Sequence, residues 1–536
     1  MHKVERTDYT EQGSLVEALR RHLRDGSNIK QVKLVETHIS WVLLAGRFAY
    51  KIKKALNLGF LDFSQLTLRQ FYCAEEIRLN RRLAPGLYKD VISIGGTADC
   101  PTFGTEPVLE YAVRMRRFPS SKQFNLLLAK NQLLPQHIDS LADTVAEFHL
   151  QLPPLSTNSL FGSIDAIKLA AEQNFNQMQD LLTDQVLLSR LLSLRKQSEL
   201  AFIKCRKWFE MRREQGYVRE CHGDLHLGNI VLLKQRAVPF DGIEFNPDLR
   251  WIDVMSDVAF TVMDLQHHQR ADFASRLLNH YLEITGDYEG VKLLPFYIAY
   301  RAMVRAKVVS IRTTQEVMTQ RALLGAGAEL NDYLGLVADC YASKQPVLII
   351  THGLPGSGKT TLSQSLLEQL GAIRLRSDVE RKRLFGLNSL ADSRTSAGKD
   401  LYVADVTQQT YQRIYDLARG LLLTGSTVIV DAAFLKYAER EHFFQLAAEL
   451  AIPFAIVSLR VSNETLCKRI LQRQAAANDA SEADLAVLDK LQKIQDPLSI
   501  AEQKFTAEFI NEAEGFSDSA AGWNRLHQLI SRPAQY

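Results

Sequence analysis

The sequence predicts two domains of different class: an α+β, two-lobed unit over residues 1–341, then an α/β unit with a parallel sheet over residues 346–536. Three observations carry this. A chain of 536 residues exceeds what one hydrophobic core serves. The first part sets alternating strand-like segments ahead of a long helical run, whereas the last third alternates apolar strands with helices, the order that gives parallel pairing.

The elements follow in order. A helical pattern surrounds Leu15–Leu23, and the alternating runs Ser40–Leu44 and Arg47–Lys53, split by Ala45–Gly46, read as a β-hairpin. A charged helix over about Leu66–Leu83 stops at Ala84–Pro85–Gly86. A strand pair is expected at Val91–Ile94 and Val108–Arg114, closing a small lobe at about residue 118. From Pro119 the period is helical to about Glu214, and again to about residue 340, interrupted by a loop-and-strand segment, Cys221–Asn246. Residues 342–345 form a short polar connector. Strands are then expected at Val347–Ile350, Ile373–Arg376, Thr427–Val430 and Phe454–Leu459, with helices between them.

Composition narrows the function classes. Hydrophobic residues make up 46% and charged residues 23%, as in an ordinary globular protein. The net charge of +3 is too small to imply a polyanionic partner, so a nucleic-acid reading needs a local patch. Cys73, Cys100, Cys205, Cys221, Cys340 and Cys467 lie far apart without metal-like spacing and read as reduced thiols. The N-terminal MHKVERTDYTEQ lacks the apolar core of a signal peptide, and no apolar run nears the ~20 residues that span a bilayer. A cytoplasmic protein with no membrane partner is expected.

The most specific motif is GLPGSGKT, Gly353–Thr360, which fits GxxxxGK[ST] between an apolar strand and a helix. Gly353, Gly356 and Gly358 let the backbone of Gly353, Leu354, Pro355, Gly356, Ser357 and Gly358 curl around a phosphate, and the helix that follows adds its positive end. Lys359 supplies a cation for the β- and γ-phosphates; the Thr360 hydroxyl can ligate Mg²⁺, and Thr361 continues the motif. Asp378, after the next strand, is placed to accept a proton from an acceptor hydroxyl, or else Ser377 or Asp378 caps a helix. Asp431 ends the strand STVIVD, where a carboxylate holds Mg²⁺ through water; simple strand termination is the other reading. Arg469 and Arg473, four apart on one helix face, either fold over the transferring phosphoryl group or form a solvated face.

GLPGSGKTT, the SD…R segment (Asp378, Arg381), the long helix before VIVDAAF and the paired arginines resemble the small P-loop kinases, a group with gluconate kinase, chloramphenicol phosphotransferase, polynucleotide 5′-kinase and the zeta-type toxins. The resemblance, over about 346–500, implies transfer of a γ-phosphoryl group to a hydroxyl, with Asp378 as base and Arg469 and Arg473 as lid.

A second constellation lies upstream. In CHGDLHLGNIVLL, Asp224 and Asn229 have the spacing of a base that deprotonates an acceptor hydroxyl and an amide that holds Mg²⁺. His222 and His226 lack a third ligand nearby for zinc. VPFDGIEFN then offers Asp241 or Glu244 as the second metal carboxylate, and the sequence leaves the choice open; Asp257 reads as a brace for the loop. On the strand Arg47–Lys53, Lys51 (or Lys53) is expected to bind the α- and β-phosphates, paired with Glu76 or Glu75, unless these are solvated lysines on an edge strand. The HGDxHxxN motif with its downstream acid resembles the aminoglycoside phosphotransferase branch of the kinase-like fold, over about residues 30–335, though no GxGxxG covers the nucleotide.

The whole chain thus resembles a bacterial fusion of an aminoglycoside-phosphotransferase-like half with a P-loop ATPase or kinase half, of the AAA type by its phosphate loop. The expected function is ATP- and Mg²⁺-dependent phosphorylation of a small-molecule hydroxyl at two ATP sites. The alternatives are an ATP-driven regulatory protein with one degenerate site, or a polynucleotide 5′-kinase using Arg376, Arg381, Lys382 and Arg383.

Overall fold

The computed structural model describes residues 6–25, 31–59, 61–156, 159–315, 319–387, 404–476, 483–512 and 520–531; the first five residues of the N-terminal stretch read above lie outside these. Helix α1 (Arg6–Asp25) leads into β1 (Val32–Glu36), β2 (Ser40–Ala45) and β3 (Phe48–Lys53), followed by α2 (Leu66–Asn80), β4 (Tyr88–Gly96), β5 (Pro101–Phe103) and β6 (Val108–Arg116). These strands form one antiparallel sheet in the order β1-β2-β3-β6-β4-β5. Strand β3 is therefore internal, and the reading of its lysines as a solvated edge does not hold. Strand alternation sorts its side chains. Tyr50 and Ile52 join Val16, Leu19, Trp41 and Leu43 in one core, while Lys51 and Lys53 point to the opposite face, toward α2.

A helical stretch follows: α3 (Phe124–Ala129), α4 (Pro135–Gln151), α5 (Ile164–Leu181) and α6 (Gln185–Glu214). Short strands then interrupt it. β7 (Val218–Glu220) pairs with β10 (Trp251–Asp253), and β8 (Ile230–Leu233) with β9 (Arg236–Pro239), the latter pair being the hairpin inside the segment read as loop and strand. Helices α7 (Val254–His267), α8 (Ala271–Thr285), α9 (Leu294–Gln315) and α10 (Gln320–Tyr341) complete this part.

The remainder is β11 (Leu348–His352), α11 (Lys359–Leu370), β12 (Ile373–Arg376), α12 (Ser377–Leu384), β13 (Val428–Asp431), β14 (Phe454–Arg460) and β15 (Thr506–Ile510), with further helices at Ala404–Leu422, Tyr437–Glu449, Asn463–Ala476 and Ala520–Ile530. The five strands are parallel, in the order β12-β13-β11-β14-β15. β11 and β13 are buried along their whole length, which is why they read as unbroken apolar runs: a parallel sheet is covered on both faces. Ile349, Leu362, Leu366, Ile429, Val457 and Phe509 pack one face.

By its contacts the chain divides into two compact units: Met1–Arg195 with Phe202–Asp264 and Tyr300–Glu316, and Lys196–Ala201 with Leu265–Ala299 and Val317–Tyr536. Helix α8 thus groups with the parallel sheet, although it precedes the 342–345 connector in sequence. Among the described residues no helix is long and apolar enough to cross a membrane.

Candidate functional site

In the first unit, charges from three separate segments converge. Lys51 Nζ donates to Glu76 Oε1 at 3.0 Å and to the Asp241 carboxylate; Lys53 Nζ donates to Glu76 Oε2 at 2.7 Å and to the Glu244 carboxylate. Glu76 is the shared partner, whereas Glu75 pairs with Arg78. Burial works to raise the Glu76 carboxyl, but Lys51 and Lys53 reverse it and bring it down to about 2. Glu244 is raised by its burial, against the pull of Lys53. The two downstream acids differ in access: the Glu244 side chain is 3% exposed and that of Asp241 is 39% exposed.

The loop that carries Asp224 is built from behind. The Asp257 carboxylate accepts the backbone N–H groups of His222 (3.0 Å) and Gly223 (2.9 Å), Asp264 accepts that of Leu227 (2.8 Å), and Thr261 donates to the Leu225 carbonyl (2.6 Å). All three come from one face of α7, as their spacing of three and four requires. Gly223 has φ +84°, and an added Cβ would lie 2.7 Å from the Leu249 carbonyl oxygen, so the turn needs glycine. Asn229 Nδ2 donates to the Asp224 carboxylate at 3.0 Å and to its carbonyl at 3.1 Å. Burial works to raise the Asp224 carboxyl, yet His226, His222 and Arg305 hold it below the ordinary range.

Asp241 joins this loop through the backbone: Phe240 N–H donates to the Asn229 carbonyl at 2.9 Å, and Asp241 N–H to the Tyr88 hydroxyl at 3.0 Å. Its φ of +63° is uncommon for a residue with a side chain and is the kind of strain found at functional sites. His226 Nδ1 accepts from Gly228 N–H, and His222 is held at the Phe240 carbonyl. Among the described residues, the three-ligand grouping close enough to share a metal is instead His149, Cys221 and Asp257, where Asp257 is already engaged by the loop amides.

In the second unit, the loop from Gly353 to Gly358 joins β11 to α11. Gly353, Gly356 and Gly358 have φ of +151°, +83° and +95°. A Cβ on Gly353 would lie 2.9 Å from Ser357 Oγ, and one on Gly356 3.1 Å from the Leu466 carbonyl oxygen. Gly358 precedes α11 with no side-chain cap, so the first-turn N–H groups are left to face a ligand. Lys359 Nζ arches over the loop, donating to the carbonyls of Gly353 and Leu354, each at 2.9 Å. Asp431 ends β13, and its Oδ2 accepts from Ser363 Oγ at 3.0 Å. Thr360 lies in the first turn of the same helix, and Thr361 is exposed on it.

Asp378 lies in the first turn of α12, paired with Arg381 at 2.6 Å; the helix cap is Arg376, without a side-chain bond, so the capping role weighed for Ser377 or Asp378 is not taken. Arg469 and Arg473 share the helix Asn463–Ala476 but have different partners. Arg469 lies 3.5 Å from Asn511 Oδ1, whose Nδ2 donates to the Ser357 carbonyl of the loop at 2.9 Å; Arg473 donates to the Ala483 carbonyl at 2.7 Å. Sequence reasoning missed Asn511 and Ser363. Ser363 sits three residues after Thr360, one helical turn on, and that spacing was the available signal.

Two family models match stretches of the chain that hold the Asp224 loop and the Gly353–Gly358 loop. Residues 125–294 match the phosphotransferase enzyme family, and residues 348–498 match an AAA domain family. An uncharacterized protein of Mycobacterium tuberculosis is 29% identical over 456 residues, covering 84% of this chain and 88% of its own. Among solved structures, an amicoumacin kinase is similar over 63% of this chain and 96% of its own (13% identity, TM-score 0.40), and a gluconokinase from Sinorhizobium meliloti over 35% and 95% (18% identity, TM-score 0.26). The chain therefore pairs an aminoglycoside-phosphotransferase-like, kinase-type region with a P-loop, nucleotide-binding domain.

Proposed function

We propose that the chain transfers the γ-phosphoryl group of ATP to the hydroxyl of a small molecule, with one ATP site in each unit. The observation that carries this is the loop Gly353–Gly358: three glycines at positive φ in front of an uncapped helix N-terminus, with Lys359 arched across it. Backbone amides arranged this way favour a polyphosphate, and Lys359 can exchange its two carbonyls for phosphate oxygens.

The donor set fits a hard divalent cation. A Thr360 hydroxyl and an Asp431 carboxylate are oxygen ligands of the type Mg²⁺ takes, and Asp431 Oδ1 carries no hydrogen bond among the described residues. In the first unit, Asn229 and Asp241 are the corresponding pair; the exposure of Asp241 and the burial of Glu244 against Lys53 favour Asp241. When bound, Mg²⁺ neutralises charge on the phosphates.

The protein's own groups do the rest. Asp224, held ionised, takes the proton of the acceptor hydroxyl at the first site while its oxygen attacks the γ-phosphorus and ADP leaves. Asp378 has that role at the second site once the acceptor displaces Arg381. Lys51, steadied by Glu76, holds the α- and β-phosphates, and Arg469 and Arg473 close over the γ-phosphate. In the full-length protein, Lys359→Ala is expected to lower the ATP stoichiometry measured by calorimetry by one, with affinity at that site reduced on the order of a hundredfold. An unchanged stoichiometry and affinity would refute the assignment.

A further inference from the structure

Helix α8 lies within the segment matched by the phosphotransferase family, yet its Asn279 and Glu283 bond to residues of β12 in the parallel sheet. β12 is an edge strand, with backbone groups unpaired on one side. Asn279 bonds the backbone at the start of β12: its Oδ1 accepts from Arg374 N–H at 2.7 Å and its Nδ2 donates to the Ala372 carbonyl, just before the strand, at 2.9 Å. One turn further along α8, the buried Glu283 takes Arg374 through Oε1 (2.6 Å and 3.0 Å) and Arg376 through Oε2 (3.4 Å).

Both arginines reach the phosphate site. Arg374 Nη1 lies 3.3 Å from the Thr360 carbonyl and 3.3 Å from Ser363 Oγ, and Ser363 donates to Asp431. Arg376 Nε is 4.0 Å from Asp431 Oδ2. Arg376 thus faces a carboxylate that a metal would also need, and Arg374 reaches the same carboxylate through Ser363. Without a counter-charge, Arg376 would neutralise Asp431 and compete with the metal. Glu283 supplies that counter-charge: burial works to raise its carboxyl, but Arg374 and Arg376 hold it below the usual range.

We propose that Glu283 is a positioning residue of the P-loop site, anchoring Arg374 and drawing Arg376 away from Asp431 so that Asp431 stays available to a magnesium ion. This rests on the P-loop reading above and adds to it a helix from outside the P-loop segment. Nothing in the pattern of GxxxxGK[ST] contains it.

The test is calorimetry of ATP binding by the full-length protein, in EDTA and across a magnesium titration, with the C-terminal component defined as the binding that Lys359→Ala removes. Glu283→Gln is expected to raise the magnesium concentration for half-maximal effect about three- to tenfold, leaving affinity for metal-free ATP unchanged or tighter. Arg376→Gln is expected to lower that concentration, and the double variant to return it to within about twofold of wild type. A merely structural role would weaken metal-free and metal-dependent binding together. That parallel loss, or a magnesium requirement unchanged in Glu283→Gln, would overturn the proposal. Should Glu283→Gln fail to fold, Arg376→Gln decides alone: no shift in its magnesium requirement overturns the proposal. A wild type indistinguishable from Lys359→Ala is a different failure, since it removes the phosphate site itself.

Discussion

The two candidate sites assemble their polar and charged groups in opposite ways. In the second unit the cradle is one continuous stretch, Gly353–Thr360, whose own backbone curvature supplies the donors. In the first, the groups are side chains from β3, α2, the Asp224 loop and the Asp241 turn, with partners as far as 191 residues apart. A backbone cradle is local and tolerates change elsewhere. A side-chain cluster is held by everything behind it, so it can be broken from a distance.

The largest effect expected from this contrast separates the two proposed reactions. Asp224→Asn should lower phosphoryl transfer at the first site by about 10²- to 10⁴-fold and leave nucleotide affinity unchanged. Asp378→Asn should do the same at the second site only. Steady-state rates of both variants, with ATP stoichiometry alongside, check it; equal losses in both would erase the distinction.

Next comes the ion cluster. Glu76→Gln leaves Lys51 and Lys53 buried beside one carboxylate fewer, and should destabilise the first unit by about 3 kcal/mol at pH 7. The sign follows from its depressed folded value of about 2. Its contribution is fully present above the unfolded value near 4.5 and is lost as pH falls toward 2, so wild type and variant should converge in acid. Urea unfolding at pH 7 and at about pH 3 reads this directly. A gap that does not narrow would mean Glu76 acts through packing.

The smallest is a backbone probe. Gly223→Ala forces a Cβ against the Leu249 carbonyl and should cost about 1–3 kcal/mol, shifting the Asp224 loop while ATP binding at the second unit's cradle stays unchanged.

The same contrast explains what the sequence disclosed. The parallel sheet was legible because buried strands such as Leu348–His352 are apolar throughout, and the phosphate loop because its donors are adjacent in the chain. β1 and β15 were not singled out: β1 is a partly exposed edge strand, and β15 alternates buried and exposed residues at the far edge. For the first site, spacing pointed to Asp224 and Asn229, since five residues of one loop fix both. The pairing of Lys51 and Lys53 with Glu76 stayed open, because either lysine on that strand face can reach the helix and only packing shows that both do. Glu283 carried no signal, because its partner Arg374 lies 91 residues on in a different kind of element.

That separation bears on synthesis. As the chain leaves the ribosome, α8 emerges with Asn279 and Glu283 before the strand they cover exists, and must wait for a further 91 residues. A fragment begun at residue 346 would never receive that helix, and its first unpaired strand would be open to a neighbouring molecule. A durable excised half should therefore start no later than Leu265.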